Sequence, residues 1–226
     1  AWTLTSADPS VASVNGLTVT ALKSGTTKIS AKQAPSGGYR SIIVTLNVTI
    51  LAVDPVVTAS GFLDRTVEII PGTPQQISLA APVSNSPGAW TFTSSDPTIA
   101  SINGNSLSAL KPGKVTVSAV QGPALKFGSS KPFTISVFVK GRQSLTAPAS
   151  IEKLAGDPDI TIAYPTSQST GKWSATSSDP TIAAVNGNVI KLGNAGTATI
   201  TVTQEATDSW IASSTTFSVR VIGVTP

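Results

Sequence analysis

The feature that most constrains this chain is that it repeats itself. Three segments align without gaps: Trp2 to Gln33, Trp90 to Gln121 and Trp173 to Gln204. In each, Asp follows Trp by six residues (Asp8, Asp96, Asp179), and Asn-Gly follows Asp by seven (Asn15-Gly16, Asn103-Gly104, Asn186-Gly187). A Gly comes ten after the Asn (Gly25, Gly113, Gly196), Gln comes eight later, and an aromatic residue six after that: Tyr39, Phe127 and Trp210. Offsets this regular mark one structural unit used three times. The Trp-to-Trp periods of 88 and 83 residues suit a small domain rather than a solenoid turn.

Each landmark has a mechanical reading. After the landmark Gly, apolar side chains alternate with Thr, Ser and Lys, as in Val115, Val117, Ala119 and in Ala198, Ile200, Val202. That period of two belongs to a strand with one buried face. A second alternating strand closes each unit: Leu46, Val48, Ile50; Ile135, Val137, Val139; Phe217, Val219, Val221. Asn-Gly predicts a type I′ hairpin, joining the strand around Ile99–Ile102 to that around Leu107–Leu110. Asp-Pro predicts a turn. The Trp is expected to open a strand and lie almost fully buried between two sheets.

Composition supports an all-β reading and removes most chemistry. Apolar residues make up 40 %, enough for a core, and 18 Gly with 16 Pro supply turns. The chain has no His, Cys or Met. A Ser-His-Asp triad, a Cys nucleophile, the usual zinc sites and a disulfide framework are therefore excluded, and no cofactor is expected. Net charge is +4 with scattered Lys and Arg, so no nucleic-acid partner is expected. No apolar run approaches the roughly 18 residues of a membrane helix, so no membrane insertion is expected.

Units two and three also match upstream of their Trp. Val67-Glu68-Ile69-Ile70-Pro71-Gly72 lies against Ile151-Glu152-Lys153-Leu154-Ala155-Gly156, and Ile77-Ser78-Leu79 against Ile160-Thr161-Ile162. Only Ala1 precedes Trp2. Residues 1–52 are thus expected to form a partial module whose open edge lies near the Trp2 strand. Its core positions would be Trp2, Val11, Val14, Val19, Leu22, Ile29, Leu46 and Val48. Either the polypeptide continues ahead of Ala1, the favoured reading, or another chain donates the missing strand. Residues 53–140 and 141–226 are each expected to be complete.

The string Ser94-Ser-Asp-Pro-Thr-Ile-Ala-Ser-Ile-Asn-Gly-Asn105, with Ala109-Leu-Lys-Pro-Gly113, resembles the bacterial immunoglobulin-like group 2 repeats. So does Gly196-Thr-Ala-Thr-Ile-Thr-Val-Thr-Gln204 with Trp210 beyond it. The resemblance implies tandem immunoglobulin-like β-sandwich modules and carries no catalytic motif to transfer. Such repeats serve as stalks, adhesin arms, enzyme accessories and virion appendages. The function expected is a non-enzymatic structural or display array of an extracellular assembly, on a phage particle or bacterial surface, with neighbouring subunits as partners. The alternatives are an adhesin arm binding glycan or protein, and accessory domains of a large secreted enzyme.

Candidate sites are few. Asp8, Asp96 and Asp179 stand one per unit, whereas glycoside hydrolysis needs two carboxylates about 5–9.5 Å apart. They are read as turn residues. Asp157 and Asp159 fall short of the six to eight oxygens calcium takes, so no metal is expected. Asn47-Val48-Thr49 matches a glycosylation acceptor, but within an ordered strand. Tyr39, Phe127 and Trp210 are the weak binding candidates. They form either a strip for sugar stacking or plugs that pack a loop onto each sandwich.

Overall fold

The computed structural model describes residues 1–224, and every regular element among them is a strand. The first unit holds β1 (Trp2–Ser6), β2 (Ala12–Asn15), β3 (Thr18–Ala21), β4 (Gly25–Gln33) and β5 (Ile42–Ile50). The second holds β6 (Val57–Thr58), β7 (Arg65–Ile69), β8 (Gln75–Ser78), β9 (Val83–Ser84), β10 (Trp90–Ser94), β11 (Ala100–Asn103), β12 (Ser106–Ala109), β13 (Gly113–Gln121) and β14 (Phe133–Gly141). The third holds β15 (Ile151–Leu154), β16 (Ile160–Thr161), β17 (Trp173–Ser177), β18 (Ala183–Asn186), β19 (Val189–Leu192), β20 (Gly196–Gln204) and β21 (Ser213–Ile222).

In unit two a four-stranded sheet in the order β10-β13-β14-β7 faces a three-stranded sheet, β11-β12-β8. Unit three repeats this as β17-β20-β21-β15 against β18-β19-β16. In these two units β7 and β15 lie parallel to the last strand, Val139 beside Val67 and Val219 beside Ile151, while the other pairings named are antiparallel. This is a tandem array of immunoglobulin-like sandwiches. Alternation puts Val115, Val117, Ala119, Ile135, Val137 and Val139 into one continuous core with Leu107 and Phe92. A second core gathers Ala198, Ile200, Val202, Phe217, Val219 and Ile190.

The fixed spacing of the landmarks follows from the pairing. Trp and Gln are cross-strand partners in all three units: Trp2 with Gln33, Trp90 with Gln121, Trp173 with Gln204. The landmark Gly takes a backbone conformation in which a side chain is strained, and the neighbouring apolar residue lies close. At Gly113 a Cβ would sit 2.7 Å from Ile99 Cδ1, and its φ of +154° lies where other residues are strained.

Four sequence expectations need correction. The indoles of Trp90 and Trp173 are half-buried, packed on the core rather than enclosed by it. Each opens an edge strand, so no neighbouring strand covers its outer side; in unit two the interior position is taken by Phe92, two residues on. The Asn-Gly hairpins are not type I′. Asn103 pairs with Ser106, so the loop is Gly104-Asn105, and only Gly104 has positive φ, at +59°. Positive φ at the first loop position alone is the type II′ pattern, which spares Leu17 in the equivalent loop of unit one a left-handed conformation.

The open edges of unit one also lie elsewhere than expected. Its sheets are β1-β4-β5 and β2-β3. In units two and three the counterparts of β5 and β3 carry a further strand, β7 or β15 and β8 or β16; in unit one β5 and β3 are edge strands, whereas β1 occupies the same edge as β10 and β17. Fourth, the expected core is only partly covered. Val11 and Ile29 are buried and Val14 and Val48 half-buried, but Trp2, Val19, Leu22 and Leu46 are exposed.

Candidate functional site

The repeated carboxylates are each engaged by their own turns through Oδ1. Asp96 Oδ1 accepts the Thr98 backbone N–H at 2.9 Å and the Thr98 hydroxyl at 2.7 Å. Asp179 does the same with Thr181, and Asp8 with Ser10. In all three the side-chain hydroxyl, then the backbone N–H, holds the carboxyl below its ordinary value. Asp157 accepts the Leu154 N–H at 3.0 Å. Among the described residues no three His, Cys, Asp or Glu side chains converge as metal ligands.

The three aromatic candidates occupy equivalent loops but differ in surroundings. Tyr39 is 82 % exposed, Phe127 is buried and Trp210 is half-buried. Each closes a tight loop, Ser36 with Tyr39, Ala124 with Phe127 and Thr207 with Trp210. Glycines at positive φ stand in the first of these, Gly37 and Gly38, but Leu125 takes the Gly37 place at φ +51°. It is the one non-glycine residue with positive φ among those described.

Phe127 and Trp210 bind the connector that leads into their own unit. Val53 N–H donates to Lys126 O at 2.8 Å, and Gly128 N–H donates to Val53 O at 2.9 Å, laying Val53 parallel to Phe127. At the next connector Gly141 N–H donates to Ser209 O at 2.9 Å and Ile211 N–H to Gly141 O at 3.1 Å, laying Gly141 beside Trp210. The preceding unit joins at the residue ahead of its landmark Gly. Ser24 N–H donates to the carbonyl of Leu125 at 3.2 Å. Pro112, with no N–H, packs instead: a Cβ on Gly141 would lie 2.8 Å from its ring and 2.5 Å from that of Trp210. Two joints are thus built on one plan. The sequence singled out the aromatics but not Val53 or Gly141, which share no residue type.

A second cluster was missed altogether. Gln121 is buried and its Nε2 donates to the carbonyls of Ser86 and Gly88, both at 2.8 Å. Gln204 donates to Ser169 O at 2.9 Å and Gly171 O at 3.0 Å. The Gln clamps the loop that leads into the Trp strand. The signal was present as Ser84-x-Ser86-x-Gly88-x-Trp90 and Ser167-x-Ser169-x-Gly171-x-Trp173. In unit one Gln33 is exposed.

No family model matches the sequence, and no curated protein matches it either. Among solved structures the chain is similar to Drosophila N-cadherin EC1-3 at 10 % identity and a TM-score of 0.36, over 99 % of this chain and 89 % of that one. It is similar to domains 4 and 5 of the S-layer protein SbsC at 18 % identity and a TM-score of 0.26, over 59 % and 76 %. It is similar to an endo-fucoidan hydrolase of glycoside hydrolase family 107 at 9 % identity and a TM-score of 0.30, over 100 % of this chain and 39 % of that one. Likenesses this distant assign no partner or activity, and the class of protein rests on the strand order and register above. No described helix is long and apolar enough to cross a membrane.

Proposed function

We propose that the chain is a non-enzymatic, semi-rigid stack of immunoglobulin-like modules, at 1–52, 53–140 and 141–226. It acts as a structural or display array of an extracellular assembly whose other subunits are its partners. The observation that carries this reading is the joint made twice in the same way, Val53 on Phe127 and Gly141 on Trp210. A chain that merely tethers domains has no use for a connector hydrogen-bonded into the next module at both joints. On this reading Phe127 and Trp210 are joint residues rather than ligand platforms. The units are of the bacterial group 2 kind that the 94–105 string resembles, at a bacterial or phage surface.

Small-angle scattering of the intact chain tests the stacking. A single elongated particle is expected, with Gly141→Val broadening the distance distribution because its side chain cannot fit between Pro112 and Trp210. A wild type already as broad as the variant overturns the proposal. Sugar stacking on Tyr39, the aromatic candidate left exposed, is the competing reading. Specific glycan capture that Tyr39→Ala abolishes would establish it.

A further inference from the structure

Three consecutive residues carry the chain from unit two into unit three, and none of them is slack. Gly141 pairs with Ile69 in unit two and is also bonded through its backbone to Ser209 and Ile211 in unit three. Arg142 is held by unit two: its N–H donates to Ile69 O at 2.7 Å, and its guanidinium reaches Glu68 at 2.8 Å. Gln143 is held by unit three. Its Nε2 donates to Ser167 Oγ at 2.7 Å and to Gln204 Oε1 at 3.1 Å, and its Oε1 accepts the Gln168 N–H at 2.8 Å. Gln204 is the buried clamp whose own amide holds Ser169 O and Gly171 O. A connector side chain thus supplies a donor to the acceptor end of the clamp. Unit two lacks this arrangement. Pro55 stands two residues past Val53, as Gln143 does past Gly141, and Gln121 Oε1 is buried with no donor among the described residues. Its connector is tied to the clamp loop separately, by the Val56 N–H on Asn85 Oδ1 at 2.9 Å and by Val57 opposite Ser84.

We infer that Gln143 is the positioning residue of the joint between units two and three, and that it makes closing this joint and closing the unit-three clamp one coupled event. The inference rests on the closed joints of the proposed stack and adds to them a link between the angle of the units and the order of a loop inside unit three. Gln143 follows directly on a residue bound to unit two, so a tilt of unit two that draws Arg142 away draws the Gln143 amide off Gln204. Gln204 Oε1 then loses a donor in a buried setting, where an unmet acceptor is costly. Linkage makes the effect reciprocal: whatever loosens the clamp loosens the joint by the same factor. Gln204 itself makes its side-chain hydrogen bonds to Gln143, Ser167, Ser169 and Gly171, none of them in unit two. An effect of Gln204 on the angle between units is therefore the signature of coupling, and it belongs to this joint rather than to the one at Val53.

The test measures the distance distribution between spin labels by pulsed electron paramagnetic resonance. Thr116→Cys and Thr199→Cys carry the labels, at exposed and equivalent positions of the two units in a chain that has no cysteine of its own. The labelled parent is expected to give one narrow distribution. Gln143→Ala and Gln204→Ala should each broaden it, and the double variant should be no broader than Gln143→Ala alone. Amide exchange is the second readout, at Ser169 and Gly171, whose N–H groups donate to hydroxyls within the clamp loop. It should quicken at least about fivefold in Gln143→Ala, although the Gln143 side chain bonds to neither residue. A distribution that stays narrow in Gln143→Ala overturns the inference and leaves the stack standing. Unchanged exchange at Ser169 and Gly171 overturns it too, and this is read from Gln143→Ala alone, a change at a half-buried position, should Gln204→Ala fail to fold. So does broadening that adds in the double variant. A parent already broad overturns the stacking proposal and the inference with it.

Discussion

Gln33, Gln121 and Gln204 hold the same place opposite a Trp and differ in what meets their amides. Gln121 and Gln204 each hold two loop carbonyls, and Gln33 is exposed. Removing the amide strands those carbonyls against the sandwich, so Gln204→Ala should cost about 2 kcal/mol. Gln33→Ala should stay within about 0.5 kcal/mol, as expected of a surface change. Urea denaturation of the two variants checks the contrast. The turn carboxylates make a pH prediction. In the folded state Asp8, Asp96 and Asp179 titrate below the ordinary 3.8, so their turns favour folding above that value and lose this as pH falls through the lowered one. Wild-type stability should therefore fall on acidification below about pH 4. Replacing all three by Asn should flatten that fall, measured as the urea midpoint against pH.

At the scale of elements, the strands that alternate over several residues were legible in the sequence. Val115, Val117 and Ala119 announce β13 by period alone, and its cross-strand link to β10 fixes the Trp-to-Gln spacing. The two-residue strands β6 and β9 were not legible, because so short a pairing leaves no period to read. Nor was the depth of the Trp, which depends on β10 and β17 being edge strands, a property of sheet order rather than local pattern. The position of the open edge failed for a related reason. Whether a first strand pairs with the Trp strand or with the last one is decided by contacts such as Glu68 beside Lys140, far apart in sequence. The joints were half legible. Phe127 and Trp210 recur at a fixed offset, whereas Val53 joins by backbone hydrogen bonds that its side chain does not determine and Gly141 by such bonds plus its lack of a side chain, so the two partners leave no common signal.

For the whole molecule, the parallel pairing of first and last strands sets how the chain answers to being pulled. In units two and three an early strand, β7 or β15, lies alongside the leaving strand, β14 or β21, and in unit two the short β6 comes ahead of β7. Tension applied through the two ends of such a unit drags these strands past each other lengthwise. Their hydrogen bonds then carry the load together, instead of parting one after another as a zipper does. Unit one has no such parallel pair and few buried side chains, so it resists only through the β1-β4-β5 ladder over a thinly covered core. Single-molecule pulling between Ala1 and the end of β21 should therefore give one early, low-force extension from unit one, then two later events at higher force. Equal forces for all three would show that the paired strands bear no such load. Under tension a chain so arranged lengthens in stages, giving way first at the module with the thinnest core while the other two hold.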